Sequence, residues 1–418
     1  MAPEMAVRFP SYRHFISALI QLQNKVKTVR TKSTTRDNIL IGVFLLLSIV
    51  LWNVPTPFDD RIDDTAEQFK GEILSVDNSQ LQRHSLVTVG VQILDVTMLE
   101  GARKGETFTV SNQLMGRLDI DKAFSVGDTA LLVVTHTPEG AIDTIVPQDH
   151  YRIDLELGLL FLFALLLILF GGKTGAKALL SFIFTGLVLW KIFIPSLLLG
   201  VDPIWLALAI VASLTGTIIF LVAGLSRMGT VAFLGAMLGV ASSCGLAVWA
   251  TSAFKLHGAI MPFAETLLYA GYAHLNITQI YVAAIFVAAS GAVMDLAMDV
   301  AASLQEVVDT HPSISRKEAL FSGLRVGRAV VGTMTTTLLL AYSGGYVTLL
   351  MAFMAQGIPV INMFNMLYVA AEVVKTLVGS FGLVLVAPFT ACIGAILFTQ
   401  KKESAQPQKQ LSTVLQNS

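Results

Sequence analysis

The stretch AASGAVMDLAMDVAASLQEV, residues 288–307, places three acidic side chains in an otherwise apolar segment. Asp295, Asp299 and Glu306 recur at i, i+4 and i+11, so on a helix with about 3.6 residues per turn they share one face. Ionisable side chains are costly inside a bilayer and commonly mark a substrate or ion pathway. The pattern predicts a membrane-spanning helix whose acidic face either contacts an ion or substrate or pairs with Arg325 and Arg328.

The composition around this stretch is that of a membrane protein with several spans. Of 418 residues, 54% are hydrophobic and only 14% are charged. A span needs about 20 apolar residues, and this criterion predicts eight spans at 38–54, 155–171, 175–198, 203–225, 229–253, 277–303, 327–356 and 380–399. The expected fold class is therefore an all-α polytopic bundle of about eight transmembrane helices.

Three stretches fit this count poorly. Residues 260–272 and 362–377 are amphipathic, which favours interfacial or re-entrant helices. Residues 327–356 exceed one span and contain Ser343-Gly344-Gly345. Two shorter spans there are the alternative, which would move the C-terminus to the other side of the membrane.

The distribution of charge predicts the orientation. Lys and Arg concentrate in the N-terminal arm 1–37, around 173–177, at 316–328 and in the tail 401–418. Short loops rich in Lys and Arg remain in the cytoplasm, so both termini are expected on the cytoplasmic side of the membrane. The acidic segment 55–150 is then extracytoplasmic, and no basic stripe with interleaved aromatics supports nucleic-acid binding.

This extracytoplasmic segment has the pattern of a small β domain. Alternating runs between Phe69 and Pro147 predict five or six short strands. An OB-like or SH3-like barrel inserted after the first helix is expected, with a sandwich as the alternative. Aromatic residues suited to stacking are nearly absent from the strands, which favours a protein contact or a spacer over ligand binding. The preceding acids Asp59, Asp60, Asp63 and Asp64 lack the features of an EF-hand loop and predict a solvated linker.

Two further polar stretches lie near the end of the chain. In GLRVGRAVVGTMTTTLLLAYSGG (323–345), Thr333, Thr335 and Thr336 offer oxygens to an ion or a small surface to a neighbouring helix. In YVAAEVVKTLVGSFGLVLVAPFTA (368–391), Glu372 and Lys375 stand at i and i+3 and are expected to form an ion pair. Residues 379–382 and Pro388 predict a broken helix of the kind found at transporter sites, or else a loop followed by an ordinary last span.

These polar stretches resemble the YibE/F-like family of bacterial multipass membrane proteins. The resemblance rests on SGAVMDLAMDVAASLQE (290–306), GRAVVGTMTTTLLLAYSGG (327–345) and AAEVVKTLVGSFGLVLVAPFTA (370–391), and it extends over about residues 150–400. It implies a location in the bacterial plasma membrane and a span followed by an external β-rich segment and a multi-span domain, but no particular reaction. Asp295, Glu306, Arg328 and Glu372 match family acids and bases, whereas Asp299 departs from the usual small polar residue.

Two functions are expected from these features. The first is a transporter or permease-like protein for a small solute or ion, with a pathway through Asp295, the Thr333–Thr337 stretch and Glu372. The second is a non-catalytic scaffold or envelope-assembly factor whose external β domain binds a protein partner. Hydrolase, nucleotide-binding and metal-ligand motifs are missing from the sequence, and Cys244 and Cys392 lie in apolar runs, so no enzyme activity, cofactor or metal is expected.

Overall fold

A computed structural model describes residues 35–59, 66–137 and 141–399. Most of the predicted N-terminal arm, the tail 401–418 and the linker acids Asp60, Asp63 and Asp64 lie outside these residues. The described chain divides into two compact units. One unit lies within residues 55–175, and the other combines helix α1 (Thr35–Asn53) with residues 176–399.

The first unit contains the predicted β domain, whose five strands form a nearly closed antiparallel barrel. The strand order is β3-β2-β1-β4-β5, and the bounds are β1 Ala66–His84, β2 Val87–Met98, β3 Thr107–Met115, β4 Thr129–His136 and β5 Ile142–His150. The long strand β1 pairs with both β2 and β4. Register shifts between Ile73 and Ser75 and between Asp77 and Gln80 bend β1, as bulges do, which lets one strand serve both neighbours.

The barrel core follows the alternation of the strands. In β2, Leu94, Val96 and Met98 point inward and are buried, as expected for a strand with one face on the core. Gln92 continues the same inward row but is polar, and only 1% of its surface is exposed. Its amide donates to Asn78 Oδ1 and to the Phe124 carbonyl, each at 2.9 Å, and its Oε1 accepts from the Phe124 N–H at 3.0 Å.

Helices make up most of the remainder of the described chain. Their bounds are α2 Ile153–Val188, α3 Ile194–Leu198, α4 Pro203–Ala223, α5 Arg227–Ala253, α6 Ala264–Tyr269, α7 Ile277–Thr310, α8 Arg316–Ser343, α9 Val347–Ala355, α10 Val360–Asn365 and α11 Leu367–Thr399. In the described residues, six segments are long and apolar enough to cross a membrane: 153–198, 203–223, 227–253, 277–310, 316–355 and 367–399. The apolar helix Asn38–Asn53 is shorter.

The eight predicted spans are thus grouped differently in the structure. The predicted spans 155–171 and 175–198 lie in two helical stretches that are joined directly at Gly172, whose backbone is not helical (φ 53°, ψ −127°). Gly175 lies directly against the carbonyl of Leu167. In a straight helix residues eight apart are about 12 Å from each other, so the chain bends sharply at Gly172.

The predicted helix break at residues 379–382 is wrong, as is the division between 362–377 and 380–399. Helix α11 runs without interruption through this region and includes Pro388. A methyl group added to Gly379 would lie 3.2 Å from Ala289 Cβ, and one added to Gly382 would overlap Ser243 Oγ. These glycines allow neighbouring helices to approach closely rather than interrupting their own helix.

The core of the second unit lies between α4, α5, α7 and α11, and α8 packs against it with Leu338. Helices α7 and α11 run parallel, because Tyr281 contacts Ala371, Ala289 faces Gly379 and Leu304 faces Gly394. Helices α5 and α8 are antiparallel to α11, with Gly235 against Thr390 and Gly327 against Ala387. The end of α5, the start of α7, the end of α8 and the start of α11 therefore meet at one end of the bundle.

Candidate functional site

A cavity of about 850 Å³ opens at this end of the bundle. Its walls come from the segment 259–266 between α5 and α7, from α7 itself, from residues 345–349 and from α11. The side chains that give it chemical character are Glu265, Tyr281, Tyr346, Tyr368, Glu372 and Lys375. The volume lies within the range of small-molecule sites.

An ion pair contributes to the lining of the cavity. Lys375 Nζ lies 3.4 Å from Glu372 Oε2, and each side chain is 31% exposed. The structure thus contains the contact that the i, i+3 spacing predicts. Lys375 Nζ also lies 5.4 Å from the ring centroid of Tyr342, close enough for a cation–π contribution. The ammonium group is therefore held between a carboxylate and an aromatic face.

Hydroxyl groups from neighbouring helices lie at about the same level of the bundle as this pair. Tyr281 of α7 donates a hydrogen bond to the Ala371 carbonyl at 2.8 Å. The hydroxyls of Thr251, Tyr342 and Thr376 are buried and have no hydrogen-bond partner among the described residues. A buried unpaired hydroxyl costs about 1–3 kcal/mol, and such groups in native structures call for a reason such as a functional role. The pair and these hydroxyls form one polar layer between α5, α7, α8 and α11.

The acids of α7 lie elsewhere. Asp295, Asp299 and Glu306 are all on the exposed side of α7, on one face as predicted. No ion pair joins them to Arg325 or Arg328, which are also exposed, in the part of the chain that the structure describes. Because each α7 residue lies level with the α11 residue 90 positions later, Asp295 is level with Leu385. It is therefore about 20 Å along the bundle axis from Glu372.

The threonines of α8 are not part of the cavity lining. Thr333, Thr335 and Thr336 donate hydrogen bonds to carbonyls of their own helix, at 2.9 Å to Val330, 2.9 Å to Val331 and 3.4 Å to Gly332. Thr333 and Thr336 are exposed, and Thr335 is half-buried. The structure thus divides the predicted site into the cavity around Glu372 and an outward face on α7 and α8.

Sequence reasoning missed most of the cavity. Tyr281 in the cavity lining, like Tyr342 and Thr376 in the polar layer, stands singly in an apolar helix. The spacing of these residues along the chain carries no signal, since Tyr281 bonds to α11 across 90 residues. The segment 260–272 was predicted as an amphipathic helix, whereas it forms a short turn of helix at Gly258–Ile260 and then α6. In the described residues there is no group of three His, Cys, Asp or Glu side chains that could hold a metal ion.

Comparison with known proteins agrees with the resemblance noted in the sequence. The model of one family, the YibE/F-like proteins, matches residues 159–400, which is more than half of the 418 residues. No curated protein and no solved structure matches the chain significantly. The matched region contains all three polar blocks, and it starts within α2 and ends just after α11. The chain therefore belongs to the YibE/F-like family, as the resemblance of its three motif blocks predicts.

Proposed function

We propose that this protein is a transporter or permease-like protein of the bacterial plasma membrane that binds a small polar solute or ion in the cavity at the end of the bundle. The observation that carries the proposal is the Glu372–Lys375 ion pair in the cavity wall. An ion pair that is partly withdrawn from water contributes little to stability on balance, because desolvation offsets the attraction between its charges. A polar layer between membrane helices is therefore better explained by ligand binding than by stability.

The charges of the lining favour cations over anions. Glu265 and Glu372 supply two carboxylates, whereas Lys375 supplies one ammonium group. That ammonium is already paired with Glu372 and stacked over Tyr342. Tyr346 and Tyr368 add aromatic surface, which attracts cations electrostatically.

A stability screen tests the proposal. The purified full-length protein in detergent is heated with inorganic cations and small organic cations, as wild type and as Glu372→Gln. A ligand at a hundredfold its dissociation constant adds about 2.7 kcal/mol, so a bound cation should raise the melting temperature of the wild type but not of Glu372→Gln. The matched control is Asp295→Asn, which removes an acid about 20 Å away and should retain the response.

The same screen can also reject the proposal that a cation binds in this cavity. If stabilisation by a cation persists in Glu372→Gln, the ligand does not bind in this cavity. If no cation stabilises the wild type, cation binding in the cavity is rejected. A positive result leads to flux assays in proteoliposomes, in which Glu372→Gln should abolish uptake of the same cation.

A scaffold role is the second candidate, and the barrel surface favours it. Leu86 is 80% exposed, Leu118 is 73% exposed and Met115 is 64% exposed. Leu86 and Leu118 line a groove of about 160 Å³ at one edge of the barrel. An apolar groove in an otherwise polar segment is typical of a protein contact. If deletion of residues 60–148 abolishes the cellular phenotype while cation stabilisation remains, the scaffold role is supported; a retained phenotype supports transport.

A further inference from the structure

The outward face of α7 is unusual for a helix that faces lipid. Its exposed residues follow helical spacing of three or four along one stripe: Ala288, Gly291, Asp295, Asp299, Ala302 and Glu306. No large apolar side chain interrupts this stripe. A methyl group added at Gly291 would meet nothing within 4 Å, so packing within the described chain does not explain this mid-helix glycine. Small residues with interspersed polar groups are typical of helix–helix interfaces in membranes.

The acids of this face lie deep in the bundle. Gly239 of α5 packs against Val293 of α7, and residue 240 is the midpoint of α5. Asp295 is then about 5 Å and Asp299 about 10 Å from the level of that midpoint. Since the hydrocarbon core extends about 15 Å to each side of its centre, both carboxylates lie at hydrocarbon depth when α5 spans the bilayer. Charged groups at this depth almost always face protein or water.

Helix α8 presents a second face of the same kind. Arg325, Arg328, Gly332, Thr333 and Thr336 are exposed, and Gly332 has open space beside it. Only 6% of the most apolar window in 316–355 is buried, compared with 39–56% for the spans of α4, α5, α7 and α11. The segment 153–198 is even less buried, at 0%, but its exposed residues are mostly Leu, Ile and Phe, which suit lipid. Helix α8 also exposes Phe321, Leu339 and Leu340 near its two ends, but the exposed stretch between them, from Arg325 to Thr337, is basic, small or hydroxylated and does not suit lipid.

The two faces match each other in depth. Gly327 of α8 packs against Val300 of α7, and Gly323 packs against Leu304. The two helices are therefore antiparallel. Arg328 is consequently level with Asp299. In the described residues no ion pair joins them, so one chain leaves an acid and a base uncompensated at the same depth.

We infer that the protein forms a symmetric dimer in which the acidic face of α7 packs against the basic and threonine-rich face of α8 in a second copy. Rotation about an axis along the membrane normal preserves depth, so Asp299 of each copy meets Arg328 of the other. Charge complementarity between two faces of one chain favours a second copy over an unrelated partner. Each carboxylate and guanidinium in the dimer is then paired and shielded from lipid.

Mixed expression of two charge variants tests the dimer. Asp299→Arg alone and Arg328→Asp alone should each weaken the dimer, because each substitution brings like charges together across the interface. When differently tagged copies of the two variants are expressed together, both contacts in the mixed dimer regain opposite charges. We expect the mixed pair to co-purify from membranes at least about tenfold more than two tagged copies of either single variant. Equal recovery in all combinations would overturn the inference.

A second measurement, disulfide cross-linking, remains informative even if the charge variants fail to fold. In a chain carrying Cys392→Ser, one tagged copy carries Ala302→Cys on α7 and the other carries Ala329→Cys on α8, positions within about one helical turn of the same level. Oxidation should cross-link the two copies, whereas Val248→Cys on the exposed side of α5 should not cross-link to either. Light scattering of the wild type in lipid nanodiscs should give the mass of two chains. A single-chain mass without the cross-link would mean that another protein or lipid covers these faces.

Discussion

Single glycines set the distances between the helices of the bundle. A methyl group on Gly239 would lie 2.9 Å from Val293 Cγ1 and 3.0 Å from Val386 Cβ. Methyl groups on Gly382 and Gly235 would overlap Ser243 and Thr390. By contrast, Gly245 of the same helix α5 has open space where a side chain would stand. Gly239 thus permits close helix packing, whereas Gly245, six residues later in the same helix, makes no such contact.

We expect Gly239→Ala to destabilise the bundle by about 1–3 kcal/mol, because the added methyl group overpacks a contact among three helices. Gly245→Ala should be neutral or should stabilise by up to about 1 kcal/mol, since alanine is the better helix former. Thermal unfolding of the two variants in the same detergent measures the difference. Equal melting temperatures would show that α5, α7 and α11 can separate without loss, contrary to the close packing described above.

At the scale of single residues, the Glu372–Lys375 pair could be predicted from the sequence because its two residues are close along the chain. An i, i+3 spacing brings two side chains together on any helix. The contact of Lys375 with the ring of Tyr342 could not be predicted, because Tyr342 comes from another helix. The spacing of residues along the chain predicts local pairs, whereas the groups around such a pair depend on how the helices pack.

At the scale of elements, α11 shows how a glycine and proline pattern can mislead. Glycine and proline weaken an isolated helix, and on that basis a break was predicted near residues 379–388. Packing against α5, α7 and α8 instead keeps the helix continuous from Leu367 to Thr399. At Gly172 the same residue type does interrupt a helix, and there no atom outside its own helix lies within 4 Å of an added methyl group.

The barrel is held by a buried polar residue that links its strands. Gln92 connects β2 to Asn78 of β1 and to Phe124 before β4, and it accepts a bond of 3.2 Å from Asn112 of β3. We expect Gln92→Leu to destabilise the barrel by about 2–3 kcal/mol, because the Phe124 N–H and carbonyl would be buried without partners. Amide hydrogen exchange of β2 and β3 reports this loss.

The control for this variant is Thr97→Val. The Thr97 hydroxyl lies 2.9 Å from that of Thr107 on the exposed side of the barrel. Loss of an exposed pair should change stability by less than about 0.5 kcal/mol. If Gln92→Leu were as mild as this control, the network around Gln92 would not hold the strands together.

At the scale of the whole molecule, the two compact units have separate cores. The barrel core is built around Leu94, Val96 and Leu132, and the bundle core around Phe286, Leu296 and Leu383. Neither core shares a residue with the other. Separate cores predict separate unfolding transitions.

Scanning calorimetry of the full-length protein should therefore show two transitions. Gln92→Leu should lower only one of them and Gly239→Ala only the other, because the two sites lie in different units. The double variant should show both shifts, additive within about 0.5 kcal/mol. A single transition that moves with either substitution would mean that the units unfold together.

The sequence by itself determined the composition of a multi-span membrane protein, its family, the β domain after the first helix and the Glu372–Lys375 pair. These properties depend on composition, on motif order and on periodicities of two or about 3.6 residues, which act over short stretches of chain. The tertiary structure decided the rest. Contacts across many residues, such as Tyr281 with Ala371, place Glu372 in a cavity, leave Asp295 and Asp299 on an outward face and keep α11 whole. Side chains distant in sequence meet only when helices pack, and no local spacing encodes that packing.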